Sequence, residues 1–200
     1  MILLNPKTES YLSLDESSRQ LIQKTIQWFE NKGLNKIKHD DHERIFYSDF
    51  LEFVKEKQLF YTFLTPQKYG DNENIRWDTN RISAMNEVLG FYGLSYWYTW
   101  QVTILGLGPI WMSDNEYIKI KTAELLKAGG IFAFGLSEKG HGADIYASEM
   151  LLKPHEDGNY FADGGKYYIG NANEAALVST FGKFSDSEEY VFFAVDPQHE

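Results

Sequence analysis

The densest group of reactive side chains runs from Gly135 to Asp144, in the order Gly-Leu-Ser-Glu-Lys-Gly-His-Gly-Ala-Asp. It follows a compact apolar run, Ile131 to Leu136, that suits a buried strand. A strand leading into a glycine-rich loop exposes backbone N–H donors without side-chain obstruction. Taken alone, such a loop is most often simply a turn. Glu138 has the chemistry of a general base, but a carboxylate bracing the loop is the better reading. Asp144 reads as a cap or brace rather than an acid catalyst. His141 titrates in the range useful for proton transfer, yet a loop histidine satisfied by solvent or backbone accounts for it more simply.

Two other groups invite chemistry. His39-Asp40-Asp41-His42-Glu43 collects metal-ligand types, with the two histidines one helical turn apart. No cysteine or third histidine joins them, and the stretch reads as a charged helix entry. Tyr92, Tyr96, Trp97, Tyr98 and Trp100 could line a ligand pocket, but helix packing is the simpler use of such rings.

The elements that position these groups fall into two textures. A first helix carries Leu14, Leu21, Ile22, Ile26 and Phe29 on one face, with Asp15 as cap or first-turn acid and Gly33 as stop. A second carries Phe46, Phe50, Phe53 and Val54 and ends near Lys57, before a short apolar stretch, Leu59 to Leu64. Pro66 and Gly70 punctuate a loop. Ile82, Met85, Leu89 and Tyr92 predict a third helix broken or bent at Gly93, a fourth runs from about Tyr96 to Gly106, and a fifth from Asn115 to Lys127, capped by Ser113 or Asp114. After Gly129-Gly130 the pattern turns to strands: Ile131 to Leu136, two short strands around the Glu156-Asp157-Gly158-Asn159 turn, Tyr167 to Ile169, Leu177 to Phe184, and Tyr190 to Val195. Helices followed by strands predict an α+β chain, with an all-α domain at 1–129 and an antiparallel β domain at 130–200.

Composition narrows the function. The chain has 200 residues, 43% hydrophobic and 24% charged, with a formal net charge of -10. That charge argues against general nucleic-acid binding and gives no polybasic membrane signal. The absence of cysteine excludes disulfides, thiol catalysis and thiolate metal sites. The first residues lack a secretory pattern, and no apolar stretch is long enough to span a bilayer, so a soluble cytoplasmic protein is expected.

A second segment, Asp163-Gly164-Gly165-Lys166-Tyr167-Tyr168-Ile169-Gly170-Asn171-Ala172, joins the first to make a recognisable pair. Together they resemble the two flavin-binding segments of the acyl-CoA dehydrogenase family. Their spacing fits, and so does the order of weaker phrases before them: Leu59 to Gly70, Asn86 to Gly90, and Ser113 to Gly129. The resemblance covers most of the chain from Ile37 onward. It implies FAD as cofactor. Phe134, Leu136, Ser137, Gly142, Ala143, Tyr168, Ile169 and Gly170 are then the cofactor-binding residues. Leu136 and Ser137 meet the pyrimidine edge of the ring, and Tyr168 stacks near it. Ile169 and Gly170 lie near its N5. Gly140, Gly142 and Ala143 admit the phosphates, with Ala143 also near the acyl-CoA. There are departures. His141 stands in place of a small residue, Ala143 in place of Ser or Thr, Tyr168 in place of Trp, and Gly170 in place of Thr. Each lost hydroxyl removes a hydrogen bond worth about 1 kcal/mol.

The resemblance further implies α,β-dehydrogenation of an acyl thioester, an acyl-CoA in fatty acid metabolism, by an enzyme that is a homodimer or homotetramer. The family's catalytic glutamate belongs to a C-terminal helical domain beyond residue 200, so no catalytic residue is expected here. The β domain is expected to be incomplete, and the chain alone inactive and weak at best in binding FAD. An acyl-CoA oxidase or flavin monooxygenase of the same fold remains open, as does a flavin-free, non-catalytic interaction module. The electron acceptor and the acyl carrier are not specified by the sequence.

Overall fold

The structure is a computed structural model and describes residues 5–156, 158–187 and 189–198. Asp157 of the expected 156–159 turn lies outside the described residues. Among the described residues seven α-helices precede five strands: α1 (Glu16–Lys32), α2 (Leu34–His42), α3 (Ser48–Glu56), α4 (Leu59–Leu64), α5 (Thr79–Tyr92), α6 (Leu94–Met112), α7 (Glu116–Lys127), β1 (Ile131–Gly135), β2 (Leu151–Pro154), β3 (Tyr160–Asp163), β4 (Ala175–Phe184) and β5 (Tyr190–Val195). Two compact units result. One holds Met1–Gln101 with Glu116–Gly130, the other Val102–Asn115 with Ile131–Glu200. The second part of α6 thus groups with the strands. None of the described helices is long and apolar enough to cross a membrane.

In the first unit, helix ends follow their caps. Asp15 accepts hydrogen bonds from the Ser18 N–H (3.0 Å) and from Arg76 (2.7 Å), and opens α1. Gly33, at φ 79°, closes it and returns its N–H to the Phe29 carbonyl. Asp78 caps α5 through the Asn80 and Arg81 N–H groups, and Gly93 ends that helix. The apolar face of α1 meets an aromatic core. Phe29 stacks on Tyr92 with centroids 4.5 Å apart and meets Tyr96 edge-on at 5.0 Å, and Phe60 meets Trp100 at 5.1 Å. Tyr92, Tyr96 and Trp100 are thus core residues, while Tyr98 is exposed.

Three expectations need correction here. The stretch 39–43 is not a helix entry. It ends a separate helix, α2, because Arg44 adopts φ 55° and breaks the run. Phe46 falls in the connection and is exposed. Leu59 to Leu64, read only as a short apolar stretch and so not among the three, form a helix of their own, α4. Helix α6 runs past Gly106 to Met112, with Pro109 inside it.

In the second unit, β4 is the central strand. It pairs with β1 in parallel (Gly135↔Thr180) and with β2 in parallel (Leu152↔Phe184). It pairs with β5 antiparallel (Gly182↔Val191), and β2 pairs antiparallel with β3. The sheet is therefore mixed rather than purely antiparallel. Connection length explains this: the short links at 155–159 and 185–189 force antiparallel hairpins, while the long stretch from Leu136 to Glu174 permits a parallel return. The expected strand at Tyr167 to Ile169 is irregular instead, because Tyr168 has φ 59°, which no ladder accommodates.

The later part of α6 packs directly on β1. A Cβ at Gly106 would lie 2.5 Å from the Ala133 carbonyl oxygen. Thr103 accepts from the Phe132 N–H at 3.3 Å, and the Ser179 hydroxyl donates to the Gly106 carbonyl. Gly90, in α5, has open space where a Cβ would stand. Gly106→Ala is expected to destabilise the fold by about 1–3 kcal/mol through overpacking. Gly90→Ala is expected to stabilise it by about 0.5–1 kcal/mol through helix propensity. Chemical denaturation of the two variants checks the pair of signs.

Candidate functional site

The loop that leaves β1 is held by a buried carboxylate. Glu138 is 8% exposed, and every bond to it is accounted for by a neighbouring segment. Its Oε1 accepts from Lys166 Nζ (2.7 Å), the Ser148 hydroxyl and the Met150 N–H (3.1 Å), and its Oε2 accepts from the Glu149 N–H (2.8 Å). Burial pushes this carboxyl upward, but the hydrogen bonds from Lys166, Ser148 and the two backbone N–H groups outweigh it and hold the pKa at about 2. Glu138 is thus an anion at neutral pH, engaged as a brace and unsuited to act as a base.

Lys166 is the other half of the brace. Its ammonium also donates to the Leu136 carbonyl (3.1 Å) and to the Ser148 hydroxyl (3.1 Å). An ammonium has three protons, and these three partners use them. One residue further, the Tyr167 N–H donates to the Ser137 carbonyl at 2.9 Å. Asn171, at φ 64°, donates through Nδ2 to the Phe132 carbonyl at 3.0 Å. The segment 166–171 is therefore laced along the end of β1, and the two chemistry-bearing segments of the sequence meet.

The expected site residues divide accordingly. Leu136 and Ser137 sit at the junction, with Ser137 exposed and with no hydrogen-bond partner for its N–H or hydroxyl among the described residues. Tyr168 is 86% exposed despite its left-handed backbone, and its ring touches that of Tyr167. Backbone held at a sparsely populated φ is found clustered at functional sites. Ile169 and Gly170 follow it, half-buried. The ring of Phe134, in β1, stacks on Phe192 of β5 at 5.6 Å. Gly142 and Ala143 lie in the exposed loop beyond a turn closed by reciprocal bonds between the Glu138 and His141 backbones. No bond joins them to Tyr168–Gly170 among the described residues.

Neither Gly140 nor Gly142 has a left-handed φ, and an added Cβ at either would meet nothing within 4 Å. The protein's own packing does not require glycine there. Glycine at these places keeps the backbone approachable from outside. His141 lies 3.2 Å from Asp144 and 3.5 Å from Glu149, and these carboxylates raise its pKa. His141 is therefore paired with acidic side chains rather than satisfied by backbone alone. The ligand atoms of Glu138, His141 and Glu149 come within 4.8 Å of one another. A metal there would compete with Lys166, already bonded to Glu138, so the group reads as an ion-pair network. His39 and His42 stand exposed on α2.

Sequence reasoning recognised the segment containing Lys166 but gave that side chain no part, and it passed over Ser148. The signal available was a lone lysine between two glycines and three apolar or aromatic residues, a place where a cation needs a buried partner.

No family model matches the chain, and no curated protein sequence matches it. Solved structures do. Butyryl-CoA dehydrogenase from Megasphaera elsdenii superposes with a TM-score of 0.78 at 23% identity, over 92% of this chain and 49% of that one. An acyl-CoA dehydrogenase complexed with FAD from Bacillus anthracis gives 0.76 at 21%, over 98% of this chain and 34% of that one. The prolyl acyl carrier protein oxidase AnaB gives 0.75 at 22%, over 92% and 50%. The chain has an acyl-CoA dehydrogenase-like fold, and it spans half or less of the length of these structures.

The lowered pKa of Glu138 fixes the sign of a pH effect. The stabilisation is fully present above the unfolded carboxyl pKa of about 4.3 and is lost as pH falls through the folded value of about 2. Glu138→Gln leaves a buried ammonium without its counter-ion and is expected to cost about 3 kcal/mol at pH 7. The gap between wild type and variant is expected to narrow as pH drops from about 4.3 toward 2. Urea denaturation across that range reads it; a constant gap would mean that Glu138 does not carry the bond set described.

Proposed function

We propose that this chain is the first part of an FAD-dependent oxidoreductase of acyl-CoA dehydrogenase type, acting on an acyl thioester. Residues 1–129 are proposed as its helical domain and 130–200 as the beginning of its β domain. The observation that carries the reading is the lacing of the two segments. Their meeting leaves the Ser137 N–H and hydroxyl unpartnered beside an exposed Tyr168. The fold likeness to enzymes whose structures contain FAD supports the same reading.

The residues present fit the cofactor. Ser137 offers two donors for the polar edge of the ring, Leu136 flanks them, and Tyr168 offers a ring face. The loop at Gly140 and Gly142 is open to the phosphates, with Ala143 beside it and near the thioester. Ile169 and Gly170 are assigned to the reacting part of the ring, where the Gly170 N–H remains as a donor. When bound, FAD supplies the acceptor for a hydride from the substrate's β-carbon. The chain's own residues bind it, orient it and exclude water on one side. The carboxylate that takes the α-proton is assigned to none of these residues, since Glu138 is held as a braced anion. A cytoplasmic enzyme, dimeric or tetrameric, is part of the same proposal.

A second reading keeps the cofactor but changes the acceptor. The likeness to a prolyl acyl carrier protein oxidase supports oxygen as the electron acceptor and a carrier protein as the acyl donor.

The test is an absorbance spectrum of the purified full-length protein, before and after acyl-CoAs are added without oxygen. A flavin spectrum that bleaches on addition is expected. Protein that holds no flavin after incubation with FAD would defeat the proposal. Products formed in air then separate the two readings: peroxide released with an unsaturated thioester identifies an oxidase.

A further inference from the structure

Two carbonyls in succession, those of Leu136 and Ser137, are both turned toward the 166–167 segment. Lys166 Nζ takes the first at 3.1 Å and the Tyr167 N–H takes the second at 2.9 Å. A peptide is planar and trans, so its C=O and the next N–H point in opposite directions. With the Leu136 carbonyl inward, the Ser137 N–H must face outward. Ser137 is exposed, and neither its N–H nor its hydroxyl has a partner among the described residues. The Lys166 side chain, by contrast, is 8% exposed and fully bonded, so its geometry is fixed.

We propose that Lys166 is a positioning residue: by holding the Leu136 carbonyl inward, it fixes the Leu136–Ser137 peptide so that Ser137 presents its N–H and hydroxyl as a donor pair to the polar edge of a planar heterocycle. Glu138 and Ser148 serve this role at one remove, by fixing the ammonium. The ligand in question is the flavin ring of the function proposed above, and the inference rests on that reading for its ligand. The orientation of the peptide belongs to the protein alone.

The alternative is that the ion pair merely holds the loop together. The two differ in what they predict for ligands with and without the ring. A donor pair aimed at the ring affects FAD but not ADP, which shares phosphates and adenosine and lacks the ring. General loosening of the loop affects both.

The experiment uses the full-length protein as wild type, as the Lys166→Met, Glu138→Gln double variant, and as Lys166→Arg. The double variant removes both charges together, so no ion is left buried alone. Crystal structures without ligand are expected to show the Leu136 carbonyl inward in wild type and Lys166→Arg, and rotated in the double variant. Titration is expected to show about tenfold weaker FAD binding in the double variant, as for loss of one well-placed hydrogen bond, with ADP affinity unchanged and most FAD affinity kept in Lys166→Arg. An unrotated peptide in the double variant overturns the proposal, and so does an equal loss for FAD and ADP. If wild type binds no FAD while the peptide still rotates in the double variant, the flavin reading fails and the positioning role stands.

Discussion

A buried ion pair is stable only when every remaining donor and acceptor is matched, because desolvation of two charges outweighs their attraction otherwise. Glu138 and Lys166 meet that condition through Ser148, two backbone N–H groups and the Leu136 carbonyl. The condition is restrictive, and that restriction organises the second unit. Three stretches remote in sequence must converge: the exit of β1, the approach to β2, and the segment before Asn171. None of them lies within a helix or strand, so regular ladders do little to fix them. The ion pair takes the place of a ladder. An apolar pair of the same volume could match it in stability but could not aim a carbonyl.

The same logic explains why loops without secondary structure carry the proposed chemistry. A strand consumes its own N–H groups in pairing, and a helix does the same. Donors remain for a ligand only where backbone is fixed by other means. Here side chains do the fixing, and the N–H of Ser137 is what is left over. The two open glycines extend the principle, since their backbone stays accessible without being needed for packing.

Much of the fold was legible because it follows local rules. The period of Leu21, Ile22 and Phe29, the cap at Asp15 and the stop at Gly33 locate α1. The strand-forming runs Leu177 to Phe184 and Tyr190 to Val195 locate β4, which begins two residues earlier at Ala175, and β5. The two segments of the site could be seen as a pair only through resemblance, since nothing in their spacing requires them to touch. What escaped reading depends on distant partners. Lys32 looks like a helix-end surface lysine, yet it is buried between Asp40 and Asp49 with its ammonium over the Trp28 and Tyr96 rings. Arg81 sits in a helical apolar pattern and is fully buried against Phe63. Tyr167 to Ile169 has strand composition, but a left-handed Tyr168 and the Lys166 anchor override it.

The place of β4 has a consequence for how the chain is made. Among the described residues β1 pairs with β4 alone, and β2 and β3 pair with each other as a short hairpin that is marginal by itself. Synthesis runs from the N-terminus, so Ile131 to Gly135 leaves the ribosome long before Ala175 to Phe184. Until β4 emerges, one of the most apolar runs of the chain has no strand to join, and pairing across such a sequence separation is slow. The helical elements, built from near neighbours, face no such delay. Until β4 emerges, the newborn chain is expected to hold formed helices beside an unpaired β1, the interval in which a chaperone would act on this unit.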